Sequence, residues 1–152
     1  MNETAHGASE KPGKRPAVMD LATSQRMLPL VARIVRDIVV DHQELERLRP
    51  EQARLDRQKK DLDWNDRFRR YAIHAEIQGC EHHLQEATAE LGRLGLVLED
   101  GVEGQVGFPT VVNGRSAYFS WRLGEETIAY WHFSKENTRR PVPVNWFESA
   151  KN

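Results

Sequence analysis

The sequence predicts an α+β fold, a long antiparallel helical hairpin followed by a small three- to four-stranded antiparallel β-sheet. Three observations predict it. Between Leu28 and Leu94 apolar residues recur, in two runs, at alternating steps of three and four. From Leu96 onward the period changes to two. Inside that second region stands Asn113-Gly114, a strong short signal for a type I′ hairpin turn.

Residues 1–18 are rich in Gly, Pro, Ser, Lys and Glu and read as a disordered tail. A first helix is expected to begin at Asp20, which can cap it through its carboxylate. Its seam is Leu28, Val31, Val35, Ile38, His42 and Leu45. Pro29 falls inside this pattern and predicts a kink. The turn to the second arm lies either at Pro50 or near Gln58 to Asp63. The later position is preferred because it equalises the arms at about 36 and 31 residues, or ~50 Å each. In the second arm Ile73, Ile77, Cys80, Leu84, Ala87, Leu91 and Leu94 keep the alternation without a gap, and Gly95 suits the position just past the helix end. Trp64, Phe68 and Tyr71 add bulk near its start.

In the sheet region Leu96–Leu98 reads as a short strand and Gly101–Gly104 as a turn. A two-residue turn at Asn113-Gly114 sets Phe108 opposite Phe119 and Val106 opposite Trp121. Pro109 is expected on an edge strand, because proline cannot donate to a ladder. A three-residue loop over Gly124-Glu125-Glu126 pairs Leu123 with Thr127, Trp121 with Ala129 and Phe119 with Trp131. That register turns Ala117, Phe119, Trp121, Leu123, Ala129, Trp131 and Phe133 towards the helices. The other face collects Tyr118, Ser120, Arg122, Ile128, Tyr130 and His132. Residues 19–133 thus form one domain, and 134–152 an extended C-terminal tail, pinned at most by Trp146 and Phe147.

A formal net charge of -1 gives no general pull towards nucleic acid or anionic membrane. One cysteine, Cys80, excludes a disulfide framework. The N-terminal stretch lacks a signal-peptide core and no apolar run has membrane-spanning length, so a soluble cytoplasmic protein is expected.

Three constellations carry possible chemistry. On the polar face Arg122 can fork onto a carboxylate or phosphate, His132 can act as acid or base, and Tyr118 and Tyr130 can donate hydrogen bonds. The alternative is a solvated face with Arg122 paired to Glu125 or Glu126. On the helices Glu76, Cys80 and His83 share one face, with His42 at a similar height on the other arm, a set able to bind zinc or iron. Cys80 fits the apolar seam equally well, and no cofactor is predicted. The basic group Arg47, Arg49, Arg54, Arg57, Lys59, Lys60, Arg67, Arg69 and Arg70 is diluted by acids at helical pair spacing. It reads as a solvated helix tip, not a nucleic-acid site.

Several of these residues together resemble a bacterial family, domain-of-unknown-function family 2203. They are Leu28-Pro29, Leu94-Gly95, Phe108-Pro109 and above all Trp121-Arg122-Leu123-Gly124-Glu125 with Trp131-His132. Arg140-Pro141 looks like the family's C-terminal arginine-proline element, and the resemblance spans Met19 to Pro141. The chain departs from the family pattern at Gly107, where an acidic residue is usual, at Ser120, where Cys is common, and at Phe133, where an acid often follows the His. The resemblance implies the fold and the choice of residues, not a reaction. The expectation is therefore a non-enzymatic binding or adaptor domain. It would use Tyr118, Arg122, Glu125, Tyr130, His132 and Arg140 to hold a partner or small anion. A small hydrolase, metal-dependent or centred on His132 with Glu125, is the alternative. The apolar seams suggest a C2 homodimer that buries the helices in a four-helix arrangement.

Overall fold

The computed structural model describes residues 18–151, and side chains as far as Phe147; the tail expected over residues 1–18 lies, but for Val18, outside them. Helix α1 covers Leu21–Arg57, 37 residues, and helix α2 covers Trp64–Arg93, 30 residues. Both begin with an aspartate cap: Asp20 accepts from the Thr23 amide and Asp63 from the Asp66 amide, each at 2.8 Å. The turn between the arms lies at 58–63, the later of the two expected positions. Helix α1 is continuous through both Pro29 and Pro50. Helix α2 ends as the sequence predicts. Gly95 is left-handed at φ +85°, its amide donates to the Gly92 carbonyl, and the Leu96 amide returns to the Leu91 carbonyl. These are the two bonds of a Schellman cap, with Leu91 and Leu96 both buried beside it.

Five antiparallel strands follow in the order β1-β2-β3-β4-β5. They are β1 Val97–Asp100, β2 Gln105–Val112, β3 Arg115–Arg122, β4 Tyr130–Phe133 and β5 Arg140–Pro141. The fifth strand exceeds the three or four expected, because two residues carry no readable alternation. A short helix α3, Val144–Lys151, closes the chain, and Trp146 and Phe147 pack on the main core. The segment read as an extended tail is thus built into the sheet and core. No helix of the described residues is long and apolar enough to cross a membrane.

The hairpin register is the expected one. Asn113 and Gly114 have φ +54° and +76°, and Val106 pairs with Trp121 and Phe108 with Phe119. Phe119 also faces Trp131, as expected, but the β3–β4 ladder stops at Ser120↔Tyr130. The expected pairs Leu123–Thr127 and Trp121–Ala129 therefore do not form. Two other contacts displace them: the Leu123 amide donates to the Gly104 carbonyl and the Ile128 amide to the Gln25 side chain. The released segment also turns Ile128, read as outward-facing, fully into the core.

Pro109 is likewise not on an edge strand, since β2 lies between β1 and β3. It is tolerated because β1 pairs only as far as Gly107. At Pro109 the ladder partner on that side is replaced by the Met19 amide, which donates to the Pro109 carbonyl at 2.8 Å.

Two cores result. The larger joins Leu28, Val31, Val35 and Ile38 of α1 to Phe108, Phe119, Trp121 and Trp131 of the sheet. The smaller lies only between the arms: Leu45, Leu48, Leu55, Leu62, Ile73 and Ile77. The apolar seams are therefore closed within the chain. Beyond His42, which abuts the β1–β2 turn at Gly101, the arms project for ~22 Å with no sheet against them. Trp64, Phe68 and Tyr71 are 73%, 68% and 70% exposed. The reason is angular. Trp64 and Phe68 stand nine residues before Ile73 and Ile77, half a helical turn round from the buried stripe.

Gly104 packs the β1–β2 turn against α1. It has φ +79°, and an added Cβ would lie 2.9 Å from Val39 Cγ2 and 3.0 Å from both Val35 Cγ1 and Leu123 Cβ. Gly104→Ala is expected to cost about 2 kcal/mol in urea unfolding, from a left-handed backbone plus overpacking. Gly114→Ala, at φ +76° but with nothing within 4 Å, should show only the smaller backbone part. Equal losses for the two would contradict the packing role.

Candidate functional site

Period-two geometry puts one side of the sheet on the helices and leaves the other to polar residues. That second face holds Gln105 of β2, Tyr118, Ser120 and Arg122 of β3, and Tyr130 and His132 of β4. It is not an open solvated surface. Ser120 is fully buried and His132 only 6% exposed.

What covers them comes from outside the hairpin. Glu99, in β1, sends its carboxylate over the sheet to His132, with Oε2 2.7 Å from Nε2. Strand spacings near ~4.8 Å set β1 and β4 far apart, so this reach needs a clear path. Gly107 supplies it: a Cβ there would sit 2.5 Å from Glu99 Oε2 and 2.9 Å from the Tyr118 ring. The Nδ1 of His132 lies 2.7 Å from the Phe133 carbonyl oxygen. Both ring nitrogens thus face acceptors. Both hydrogen-bonding positions of the ring are taken up inside the protein.

The second half of the cover is Arg139. Its Nη1 and Nη2 donate to Glu125 at 2.9 and 2.8 Å, its Nε to the Ser120 hydroxyl at 2.9 Å, and Nη2 also to the Ser120 carbonyl at 3.1 Å. The guanidinium stands 4.4 Å over the Tyr130 ring. Glu125 Oε1 accepts the Arg122 amide as well, while the Arg122 side chain donates to Gln105 Oε1. Gln105 in turn donates to Glu99 Oε1 at 2.8 Å. Burial pushes the Glu125 carboxyl up, but Arg139 and the Arg122 amide outweigh it and hold the group below its ordinary value. From His132 through Glu99, Gln105, Arg122 and Glu125 to Arg139 and Ser120 the face is one connected network. Every buried side-chain nitrogen and oxygen among the described residues has a partner.

Residues 18–142 match the family model described as "Uncharacterized conserved protein (DUF2203)". The chain belongs to this family. No curated protein and no solved structure matches it.

Of the six surface residues expected in this DUF2203 chain, five share the network's face or its rim. Arg122, Glu125 and His132 are linked by hydrogen bonds, Tyr118 lies against His132 at 5.7 Å between ring centres, and Tyr130 lies under Arg139. Arg140 does not join them. It pairs with Glu136 and lies over Trp131, on the opposite side of β5 from Arg139. His132 takes Glu99, not Glu125, as its carboxylate. Glu99, Gln105 and Arg139 were missed by sequence reasoning. A glycine inside β2 was the available signal for Glu99, and strand alternation across Arg139-Arg140 the signal for Arg139.

The residues weighed as a metal set do not assemble. Among the described residues no three His, Cys, Asp or Glu side chains come together to hold an ion. His42 lies against Gly101, Glu76 lies 3.6 Å from Arg69, and Cys80 packs on the smaller core, where burial pushes its thiol up. His83 instead lines a cleft of about 630 Å³ with Asp37, Asp41, Glu86 and Glu90. Within the basic cluster Arg47 pairs with Glu44, Arg49 with Glu81, Arg69 with Glu51 and Arg70 with Asp56 along the arms. Pairs this exposed contribute little stability.

Proposed function

We propose that this DUF2203 chain is a non-enzymatic binding or adaptor domain whose interaction surface is the projecting helical hairpin. The observation that carries the reading is the state of His132. It is buried, and both its nitrogens are engaged by fixed acceptors. A general base needs a free lone pair within reach of a substrate. The hydrolase alternative has no such group at His132, and Glu125, its other candidate, is held by Arg139. The clefts of about 630 and 700 Å³ lie between the helices and are not lined by His132.

The polar network instead clasps the C-terminal segment to the sheet and makes that end of the molecule rigid. The exposed aromatic rings are on the hairpin, where large side chains of this kind mark interaction surfaces. The test is affinity capture with the full chain and with a W64A/F68A/Y71A variant, read by quantitative mass spectrometry. Selective loss of one or more bound proteins, a second copy of the chain included, is expected. An unchanged set of bound proteins overturns the reading.

A further inference from the structure

We infer that the outer face of α2 is a twofold interface, and that a second copy of this chain covers it by running antiparallel along the same helix. This assignment rests on the binding-domain reading and deepens it. The aromatic stripe Trp64, Phe68, Tyr71 runs along the helix, not across the tip, so it fits another helix laid alongside. The stripe continues on the exposed side through Ala75 and Gly79. An added Cβ at Gly79 would have nothing within 4 Å, so a second backbone can approach there. Further on, the same side reaches Glu86, Ala89 and Glu90, which with Asp37, Asp41 and the half-exposed Val40 line the cleft between the arms.

The two ends are complementary in charge and shape. The aromatic end carries Arg67 at the edge of the stripe, and Arg57, Lys59 and Lys60 at the turn outnumber Asp61 and Asp63 there. The far end is a groove in which Asp37, Asp41, Glu86 and Glu90 outnumber Arg93 and His83, with Val40, Ala87 and Ala89 lining it between them. Phe68 and Glu86 are ~27 Å apart along the axis, so a twofold between Ala75 and Gly79 brings each onto the other. Under that operation Arg67 meets Glu86 and Glu90 of the second copy, the large rings enter the groove, and small residues face small residues at the crossing. An isologous contact demands this relation, in which one end of a surface fits its own other end. Six aromatic rings, each able to bury roughly 150–250 Å², bring the contact near the ~1,600 Å² of a stable pair.

Sedimentation equilibrium of the full chain at micromolar concentration should give a dimer. Phe68→Glu should weaken it about 30-fold or more, the loss of a central anchor, while leaving the thermal unfolding of the monomer unchanged because the ring is exposed there. In a Cys80→Ala background, the double variant A75C/G79C should form interchain disulfides under mild oxidation, because the twofold sets residue 75 opposite residue 79, and Trp64→Cys should not. Arg67→Glu should weaken the dimer, and adding E86R/E90R should restore it. A monomeric wild type, or a dimer indifferent to Phe68→Glu, overturns the inference. If the wild type is monomeric but W64A/F68A/Y71A loses a different protein in the capture experiment, the binding-domain reading stands and only the second copy is wrong.

Discussion

Arg139→Ala is expected to destabilise the fold by about 3 kcal/mol, near the lower end for breaking a buried ion pair because Glu125 keeps some contact with water. The side chains of Arg139 and Glu125 are 14% and 26% exposed. Removing the guanidinium leaves a carboxylate without its two-pronged donor and the buried Ser120 hydroxyl and carbonyl each short of one. It also frees β5 and the segment that carries Trp146 onto the core. Urea unfolding followed by tryptophan fluorescence measures the loss. Arg139→Lys should recover only part of it, since an ammonium cannot fork across both oxygens. A loss within 1 kcal/mol of zero would show that the clasp is decorative.

The same pair sets an acid limit. The folded Glu125 carboxyl titrates below its unfolded value near ~4.3. The folded state therefore binds fewer protons across that interval, and the pair's contribution is complete above the unfolded value. It disappears as pH falls through the folded one. Glu125→Gln should accordingly lose its disadvantage against wild type as the pH is lowered through that window.

How much of this was legible in the sequence differs by element. Helices α1 and α2, the α1 N-cap, the α2 C-cap, the turn at 58–63 and the β2–β3 register were readable because each is specified by residues close in the chain: Asp20, Gly95, Asn113-Gly114. The β3–β4 register held at Phe119↔Trp131, but the ladder's end did not, because the Gln25 side chain, over 100 residues away, draws off the Ile128 amide. The polar face failed in the same way. Period-two reading assigned Ser120 and His132 to the right side of the sheet. It could not see that Glu99 and Arg139 reach across strands to bury them. The exposed aromatics were noted in the sequence only as bulk near the start of α2; the nine-residue spacing to Ile73 and Ile77 is the signal that puts Trp64 and Phe68 on the far side.

Glu99 and Gly107 allow the sharpest check of the buried face. Glu99→Leu is expected to cost about 3 kcal/mol, because it strands a buried His132 Nε2 without an acceptor. In wild type two low-field ring N–H signals from His132, both slow to exchange with solvent, should appear in proton NMR. The variant should lose the one on Nε2. Gly107→Ala alone pushes a methyl group to within 2.5 Å of Glu99 Oε2, so the flexible carboxylate must move and the same signal should broaden or vanish. The decisive comparison is compensatory. Gly107 is the position whose missing side chain makes room for Glu99. Gly107→Asp in a Glu99→Ala background therefore moves the carboxylate from β1 to β2, beside the same imidazole. It should regain at least half of the stability lost in Glu99→Ala and restore the Nε2 signal, with a coupling between the two sites above the ~0.5 kcal/mol expected of independent positions. No recovery would mean that the carboxylate beside His132 is not what secures it. The network would then be held from the Arg139 end alone.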